Sequence, residues 1–467
     1  MPSMRQRFAL LLLPLAAAIA WCAVAGYEGL NGQDAHDYLR LAREWTAAFS
    51  GEAIPRMQEH PHGYPLLGAL VGATGIGELL ALRSVSAVAL VLAMFAVARL
   101  LRVGSSGDER HESPLLAFIF FGMSLSPFLL RQSLTVMSDM AAIASCVLAF
   151  AQSVRWMEDR KKLRLFWMLA ALVFGLLFRL AVAPIAVVMV GWMLLEKIDQ
   201  RRRLAFLKRA SFLLVAVLFM PSIALMLGFP VEDWSVLNLF RRAHFSDDGY
   251  LKYGMPNLVY VLLTPVHPGF IPFGIAVLPF VRRSDWKEAP VQLATLVFLA
   301  YALFVGGMPY QNDRVLLLAQ PFALMVLWPA FVRAWAWLLS RMRFPVALWA
   351  IVLAAQAALC LRAIAPFIRQ ARVERDVIGR VALLRPTQVY THGLGAACGT
   401  YLPGVKVTEL WQGDVERFTP EAVIVARPQD MHAQWMGLAP QRNWQKALEK
   451  GAREAGEHEG WVLLKVQ

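Results

Sequence analysis

A polytopic α-helical membrane protein with a small α/β domain at its C-terminal end is the fold class this sequence predicts, and three observations carry it. The chain of 467 residues is 58% hydrophobic and 17% charged, with a mean hydropathy of +0.50, too apolar for a soluble protein of this length. Apolar runs of about 20 residues recur, the length that crosses a bilayer as a helix, and they are continuous rather than alternating, so helices and not a β-barrel are expected. Beyond residue 365 the pattern changes to short strand-like segments with helical stretches between them.

In chain order, the run 8–26 follows Arg5 and Arg7 and resembles a signal peptide. Its Ala-rich end carries no convincing cleavage site and many runs follow, so an uncleaved first helix is expected. A polar link, the first outer loop of 27–78, leads to a span at 79–101. Further spans are expected near 114–128, 138–154, 165–178, 180–195, 210–228, 258–281, 290–307, 314–332 and 345–364, about eleven in all.

Charge provides a check on this count. Basic residues from Arg99 and Arg102, through Arg110, Arg155 and Arg201–Arg203, to Arg333, Arg341 and Arg343 fall on the side of Arg5 and Arg7. The other side holds few, among them Arg40, Arg43, Arg56, Arg241, Arg242 and Lys252. The N-terminus is therefore expected in the cytoplasm, with the first loop and everything after 365 outside. The net charge of +13 has this topological origin, and no nucleic-acid partner is expected. Residues 1–364 read as the membrane domain. Residues 365–467 read as an extracytoplasmic α/β domain, with strands at 388–392, 405–410, 422–426 and 461–466 and helices near 366–384 and 441–454. Four cysteines, three of them in apolar runs, form neither a disulfide framework nor a zinc pattern.

Candidate chemistry centres on Gly32-Gln33-Asp34-Ala35-His36-Asp37-Tyr38-Leu39-Arg40. Tyr38, Leu41, Ala42, Trp45 and Phe49 recur at helical spacing, so an amphipathic helix lies here. Asp34 at its start is either a general base or an N-cap, with Asp37 three residues on completing a capping box. Ionisable groups inside apolar runs are costly and mark function. Asp139, Arg83, Arg179 and Arg314 all fall near the outer ends of their spans; alternatively Asp139 pairs with Arg131 and the arginines reach the interface. Carboxylates there could take a proton or share a divalent cation, and arginines could hold a phosphate. His36, His60 and His62 with Asp34 lack any metal-ligand spacing, and ordinary loop histidines are the better reading. The aromatic and proline punctuation around His62, Tyr64 and His267 also lies on the outer side. Gly393-Leu394-Gly395-Ala396-Ala397-Cys398-Gly399, with Glu409 after it, approaches a dinucleotide fingerprint. Its spacing is one residue long, and a glycine-rich strand-to-helix turn is the better reading.

These motifs in their order resemble the GT-C superfamily of polyprenyl-phosphate-sugar-dependent membrane glycosyltransferases. Asp34 with Tyr38, His62-Gly63-Tyr64-Pro65-Leu66-Leu67, Ser138-Asp139 and Asn312-Asp313-Arg314-Val315-Leu316-Leu317 are each similar to a segment of that superfamily. The nearest branch is the one holding protein mannosyltransferases and the lipid A aminoarabinose transferase. Ala35 departs from it, since a second acidic residue often follows the first; Asp37 is the candidate to replace it.

The resemblance implies a GT-C-like fold and sugar transfer, with inversion, from a polyprenyl-phosphate donor to an extracytoplasmic lipid, glycan or protein. In that reading Asp34 is the base, and Asp139 and Asp37 assist. Tyr38, His62, Tyr64, Arg179, Arg241, Arg242, His267 and Arg314 bind substrate. No cofactor beyond a divalent cation is implied, and the expected place is the bacterial inner membrane. The competing reading is a transporter or flippase of lipid-linked sugars. It predicts internal repeats and charges at mid-membrane, and the sequence has no such repeat.

Overall fold

The structure, a computed structural model, describes residues 8–56, 60–103, 112–199, 206–226, 234–242, 244–245, 255–341 and 345–467. Of the residues used for the charge asymmetry, Arg5, Arg7, Arg110, Arg201–Arg203, Lys252 and Arg343 lie outside the described residues. The chain divides into two compact units, Met1–Trp21 with Arg56–Ile364, and Cys22–Pro55 with Ala365–Gln467.

The helices are, in chain order, α1 (Leu13–Val24), α2 (Gly32–Phe49), α3 (Gly63–Val71), α4 (Glu78–Val103), α5 (Glu112–Ile119), α6 (Pro127–Ser133), α7 (Asp139–Asp159), α8 (Lys162–Phe178), α9 (Ala183–Asp199), α10 (Phe206–Met226), α11 (Asn257–Leu262), α12 (Gly274–Val277), α13 (Ala289–Gly306), α14 (Asp313–Leu316), α15 (Gln320–Arg341) and α16 (Pro345–Leu383). Among the described residues five helices are long and apolar enough to cross a membrane: Glu78–Arg102, Asp139–Asp159, Ala289–Gly306, Gln320–Arg341 and Ala350–Leu383. A sixth crossing is made if the bent pair Glu112–Ser124 and Pro127–Ser133 counts as one. Phe8–Val24, Gly63–Ile76 and Leu180–Glu196 are apolar but shorter.

Helix α7 is buried nearly all round, as a helix inside a membrane bundle must be when its neighbours cover every face. Its small residues Ala141, Ala142, Ala144, Ser145 and Ala149 allow close approach. The hydroxyl of Ser145 donates to its own helix at Ala141 O (2.9 Å) and so costs nothing in apolar surroundings. The turn at Arg160, in the left-handed region at φ 54°, folds α8 back on α7. Gly175 of α8 faces Ser145, and a Cβ there would stand 3.5 Å from the Ser145 Cβ and 3.1 Å from Val182. The outer side of α8 keeps Phe166, Trp167 and Phe174 exposed, as a lipid-facing stripe would.

Two expected spans are broken. The run 114–128 bends by 62° between α5 and α6, at a π-turn (Phe120–Ser124) followed by Pro127. Carbonyls at and opposite the break find side-chain donors: Gln356 Nε2 donates to Leu125 O (2.7 Å), Ser126 Oγ to Phe270 O (2.9 Å) and Gln320 Nε2 to the same Phe270 O (2.7 Å). The run 258–281 is not one helix. It comprises α11, turns and α12, because Pro265, Pro268, Pro272 and Pro279 remove donors a continuous helix needs. Gly63–Val71, read above as loop, is helical. The expected helix at 366–384 is the far end of α16, a single helix of 39 residues.

In the second unit a five-stranded sheet runs in the order β2-β1-β3-β5-β4, with β1 (Gln388–Thr391), β2 (Lys406–Glu409), β3 (Val423–Ala426), β4 (Arg453–His458) and β5 (Trp461–Lys465). Strands β1, β2 and β3 are parallel, and β5 runs antiparallel to β3 and to β4. Side-chain alternation divides the core into two layers. Val389, Val423, Val425 and Leu463 pack with Val377 and Val381 of α16 and with Ala397 and Cys398 of α17 (Gly395–Tyr401). Tyr390, Ile424 and Leu464 pack on the other face with Met431 of α18 (Pro428–Gln434) and Trp444 and Ala447 of α19 (Ala439–Glu449). Strand β4, absent from the sequence reading, is an exposed edge joined to β5 by Glu459 and Gly460, both with positive φ as a two-residue hairpin turn requires.

Gly274 is the tightest backbone position among these turns, since a Cβ there would collide with the Pro265 carbonyl. Gly274→Ala is expected to destabilise the first unit by about 1–3 kcal/mol, read as a lowered melting temperature in detergent. An unchanged melting temperature would show that the 265–274 turn relaxes freely.

Candidate active site

In the first unit, buried charges gather at one end of the α7–α8 hairpin. Asp139 opens α7, where the helix N-terminus favours a carboxylate, and Arg179 directly follows α8 in extended conformation. Because the two helices are antiparallel neighbours, the first residue of one and the residue after the other meet, and the Arg179 guanidinium pairs with Asp139 Oδ1. The second oxygen accepts from Gln132 Nε2 at 2.7 Å and lies 3.6 Å from Arg314 Nε. Arg314 is fixed by the short helix α14, whose N-cap Asn312 accepts from its backbone N–H at 2.9 Å. Asp139 is 1% exposed. Sequence reasoning offered Arg131 as its partner. Instead Arg131 Nη2 donates to Asp313 Oδ2 at 3.0 Å, with side-chain exposures of 2% and 1%, and its guanidinium lies 4.8 Å from the centre of the Phe128 ring. Two carboxylates, Asp139 and Asp313, and three guanidiniums, Arg131, Arg179 and Arg314, thus meet in these contacts. A group of guanidiniums held in fixed geometry can hold a phosphate.

Several other expected residues have structural partners. Tyr64 is fully buried, and its hydroxyl donates to Leu82 O (2.9 Å) and meets Ser86 Oγ (2.8 Å), which itself contacts Met137 O at 3.2 Å. His267 stacks on Phe128 at 5.9 Å, and its Nδ1 accepts from Gly269 N at 3.0 Å. Arg241 and Arg242 are exposed; Arg241 reaches Asn238, and Arg242 bridges to Pro256 through the backbone. His62 precedes α3 as its N-cap residue, without a side-chain cap bond, and Arg83 is half-buried in the first turns of α4.

In the second unit, Asp34 is the third residue of α2, which begins at Gly32 after Asn31. The capping-box alternative fails on this register, because Asp34 is inside the helix and Asn31 occupies the cap position. Asp37 pairs with Arg40 at 3.4 Å, and Arg40 with Glu44 at 2.6 Å, while Tyr38 is buried. Neighbouring residues tie α2 to the sheet unit. Gln33 Nε2 donates to Glu409 Oε1 at 2.7 Å, and Gln33 Oε1 accepts from Ala396 N at 2.9 Å. His36 Nδ1 lies 3.0 Å from Thr400 Oγ1, with its ring edge-on to Tyr401. Glu409 also accepts from Gly395 N at 2.7 Å and Gly393 N at 3.3 Å. The glycine-rich turn that looked like a dinucleotide cradle thus already holds a carboxylate of its own chain where a phosphate would sit. Among the described residues, no group of three or more His, Cys, Asp or Glu side chains is placed to hold a metal ion.

Two expected outcomes follow from these contacts. Asp313→Ala removes a carboxylate partner from the buried Arg131 charge and is expected to cost about 3–5 kcal/mol, seen as a large fall in detergent melting temperature; a fall no greater than that of a surface substitution would refute the pairing. Burial, with Arg43 adding to it, lowers the His36 pKa from 6.5 to about 4. The unfolded chain therefore binds the extra proton first. Stability from neutral His36 is expected to be full above pH 6.5 and to be lost as the pH falls towards 4, by about 3 kcal/mol in total. Amide exchange in α2, measured between pH 7 and 4 in the wild type and His36→Gln, would isolate this slope; identical slopes would exclude His36 as its source.

No protein-family model and no curated protein matches the sequence. Solved structures do match. ArnT from Cupriavidus metallidurans in the apo state superposes with a TM-score of 0.55 at 16% identity, covering 99% of this chain and 98% of that one. The structure of the same protein bound to undecaprenyl phosphate gives 0.56 at 14% identity, covering 98% of each chain. The chain therefore has the ArnT fold along nearly its whole length, the fold that the resemblance of its motifs implied.

Proposed function

We propose that this protein is an integral membrane glycosyltransferase that moves a sugar from a polyprenyl-phosphate donor to an acceptor hydroxyl or amine on a lipid, glycan or protein outside the cytoplasm. The observation that carries this reading is the pairing of two part-buried guanidiniums, Arg179 and Arg314, about the buried Asp139 carboxylate. It occurs in a fold shared with a protein whose solved structure holds undecaprenyl phosphate. The loop charges support an N-terminus in the cytoplasm of a bacterial inner membrane, and about eleven crossings would leave the α/β unit outside.

In this mechanism the acceptor oxygen or nitrogen attacks the anomeric carbon from the face opposite the phosphate, and Asp34 takes the acceptor proton. The bond from that carbon to the phosphate oxygen breaks, its electron pair stays on the phosphate, and the configuration inverts. Arg179 and Arg314 stabilise the charge that grows on the departing phosphate. Asp139 is enclosed by Gln132 and the two arginines, so its part is to hold the guanidiniums in register rather than to touch the acceptor. Asp37, engaged with Arg40, is the weaker candidate for the base. A transporter is disfavoured because the charges sit at the ends of α7 and α8, not midway along them.

The test is acceptor-dependent release of polyprenyl phosphate by the purified protein in nanodiscs, with a polyprenyl-phosphate sugar as donor. Asp34→Asn is expected to cut turnover about 10²–10⁴-fold with the fold intact, whereas undiminished turnover would remove Asp34 from the chemistry. Arg314→Ala is expected to raise the donor KM; an unaltered KM would make this arginine a structural partner of Asp139 alone. Movement of intact lipid-linked sugar across the bilayer without any release would favour the transporter.

A further inference from the structure

We infer that Gln33 and Glu409 are positioning residues, which clasp the first turn of α2 to the α/β unit and thereby set the placement of Asp34. The inference rests on the reading of Asp34 as the base. The chain entering α2 is poorly suited to hold that turn by itself. Between the end of α1 and the start of α2, Gly26, Gly29 and Gly32 all lie in the left-handed region, at φ 66°, 82° and 70°. Asn31, at the cap position, makes no side-chain bond to the helix start, and among the described residues its buried Oδ1 has no hydrogen-bond partner. What holds the turn comes from far along the chain.

Gln33, immediately before Asp34, uses both ends of its amide, one on Glu409 and the other on the Ala396 N–H. Glu409 is in turn held by the Gly393 and Gly395 N–H groups, and a Cβ at 395 would push its carboxylate out of this place. A charged acceptor fixed by backbone donors gives a strong and directional hold. The segment before α2 is tied in the same way. Arg375 donates to Gly26 O at 2.8 Å, and Tyr401 donates to Glu28 at 2.9 Å. The α/β unit is thus a template for the acidic turn as well as a domain in its own right. Misplacement of a reacting group by about 1 Å can cost 10²-fold in rate, so the clasp has leverage over turnover.

The full-length protein in nanodiscs tests this with Gln33→Met, which keeps the side-chain length and removes both hydrogen bonds, and with Glu409→Gln. Each is expected to lower kcat about tenfold while leaving the donor KM within about twofold, and the double variant is expected to be no slower than the slower single one. In an Asp34→Asn background, Gln33→Met is expected to change the residual rate by less than about twofold, because a residue acting through Asp34 has nothing left to position. A further tenfold loss in that background, or an unchanged kcat in both single variants, would overturn the clasp. Should Gln33→Met fail to fold, Glu409→Gln with and without Asp34→Asn gives the same comparison. If Asp34→Asn itself retains full turnover, it is the assignment of the base that fails, and the two failures are told apart.

Discussion

Burying a carboxylate among apolar helices is tolerable only when cations and hydrogen bonds replace the water it has lost, and the first unit is arranged around that requirement at Asp139. One helix start supplies the acid, the end of the next supplies Arg179, a broken helix supplies Gln132, and a four-residue helix supplies Arg314. Each of these departs from a straight span. The bend before α6, the extended residue after α8 and the short α14 all release backbone from regular helix near charged side chains. Regular helices would have placed these groups on separate faces.

The second unit answers a different constraint, a glycine-rich turn whose N–H groups converge. Such a nest attracts an anion. In a nucleotide-binding domain the anion is a phosphate; here Glu409 occupies the place and passes the interaction on to Gln33. Burial raises the Glu409 pKa, and the hydrogen bonds from Gln33, Gly395 and Gly393 oppose that rise. The carboxylate is worth its desolvation cost only while those donors remain, which makes the nest and the start of α2 parts of one structure.

Much of this was legible in the sequence because it is periodic. Continuous apolar runs marked α4, α7, α13 and α15, and strand patterns marked β1, β2, β3 and β5. Strand β4 escaped because Arg453-Glu454-Ala455-Gly456-Glu457-His458 is a polar edge with little to bury, so no alternation appears. The run 258–281 misled because hydropathy does not register prolines. Single charges in apolar context singled out Asp139, Arg179 and Arg314, which the structure brings together, but did not report their pairing. Arg131 is close to Asp139 in sequence and yet serves Asp313, 182 positions away. No local pattern reports that partner. The amide of Gln33 gave no signal either, since a glutamine at a helix start looks like surface.

That separation in sequence bears on how the cluster is held. Asp313 and Arg314 are adjacent, yet one pairs with Arg131 and the other flanks Asp139, so a single four-residue helix supplies charges to both pairs. Until α14 docks, Arg131 lacks its carboxylate and Asp139 one of its cations, and the apolar surroundings disfavour any half-assembled state. The two ion pairs are therefore coupled through the position of α14. Two ion pairs anchored on one short helix hold each other in register, and that is what a site needs if it is to present guanidiniums in one fixed geometry to a charge that appears only during reaction.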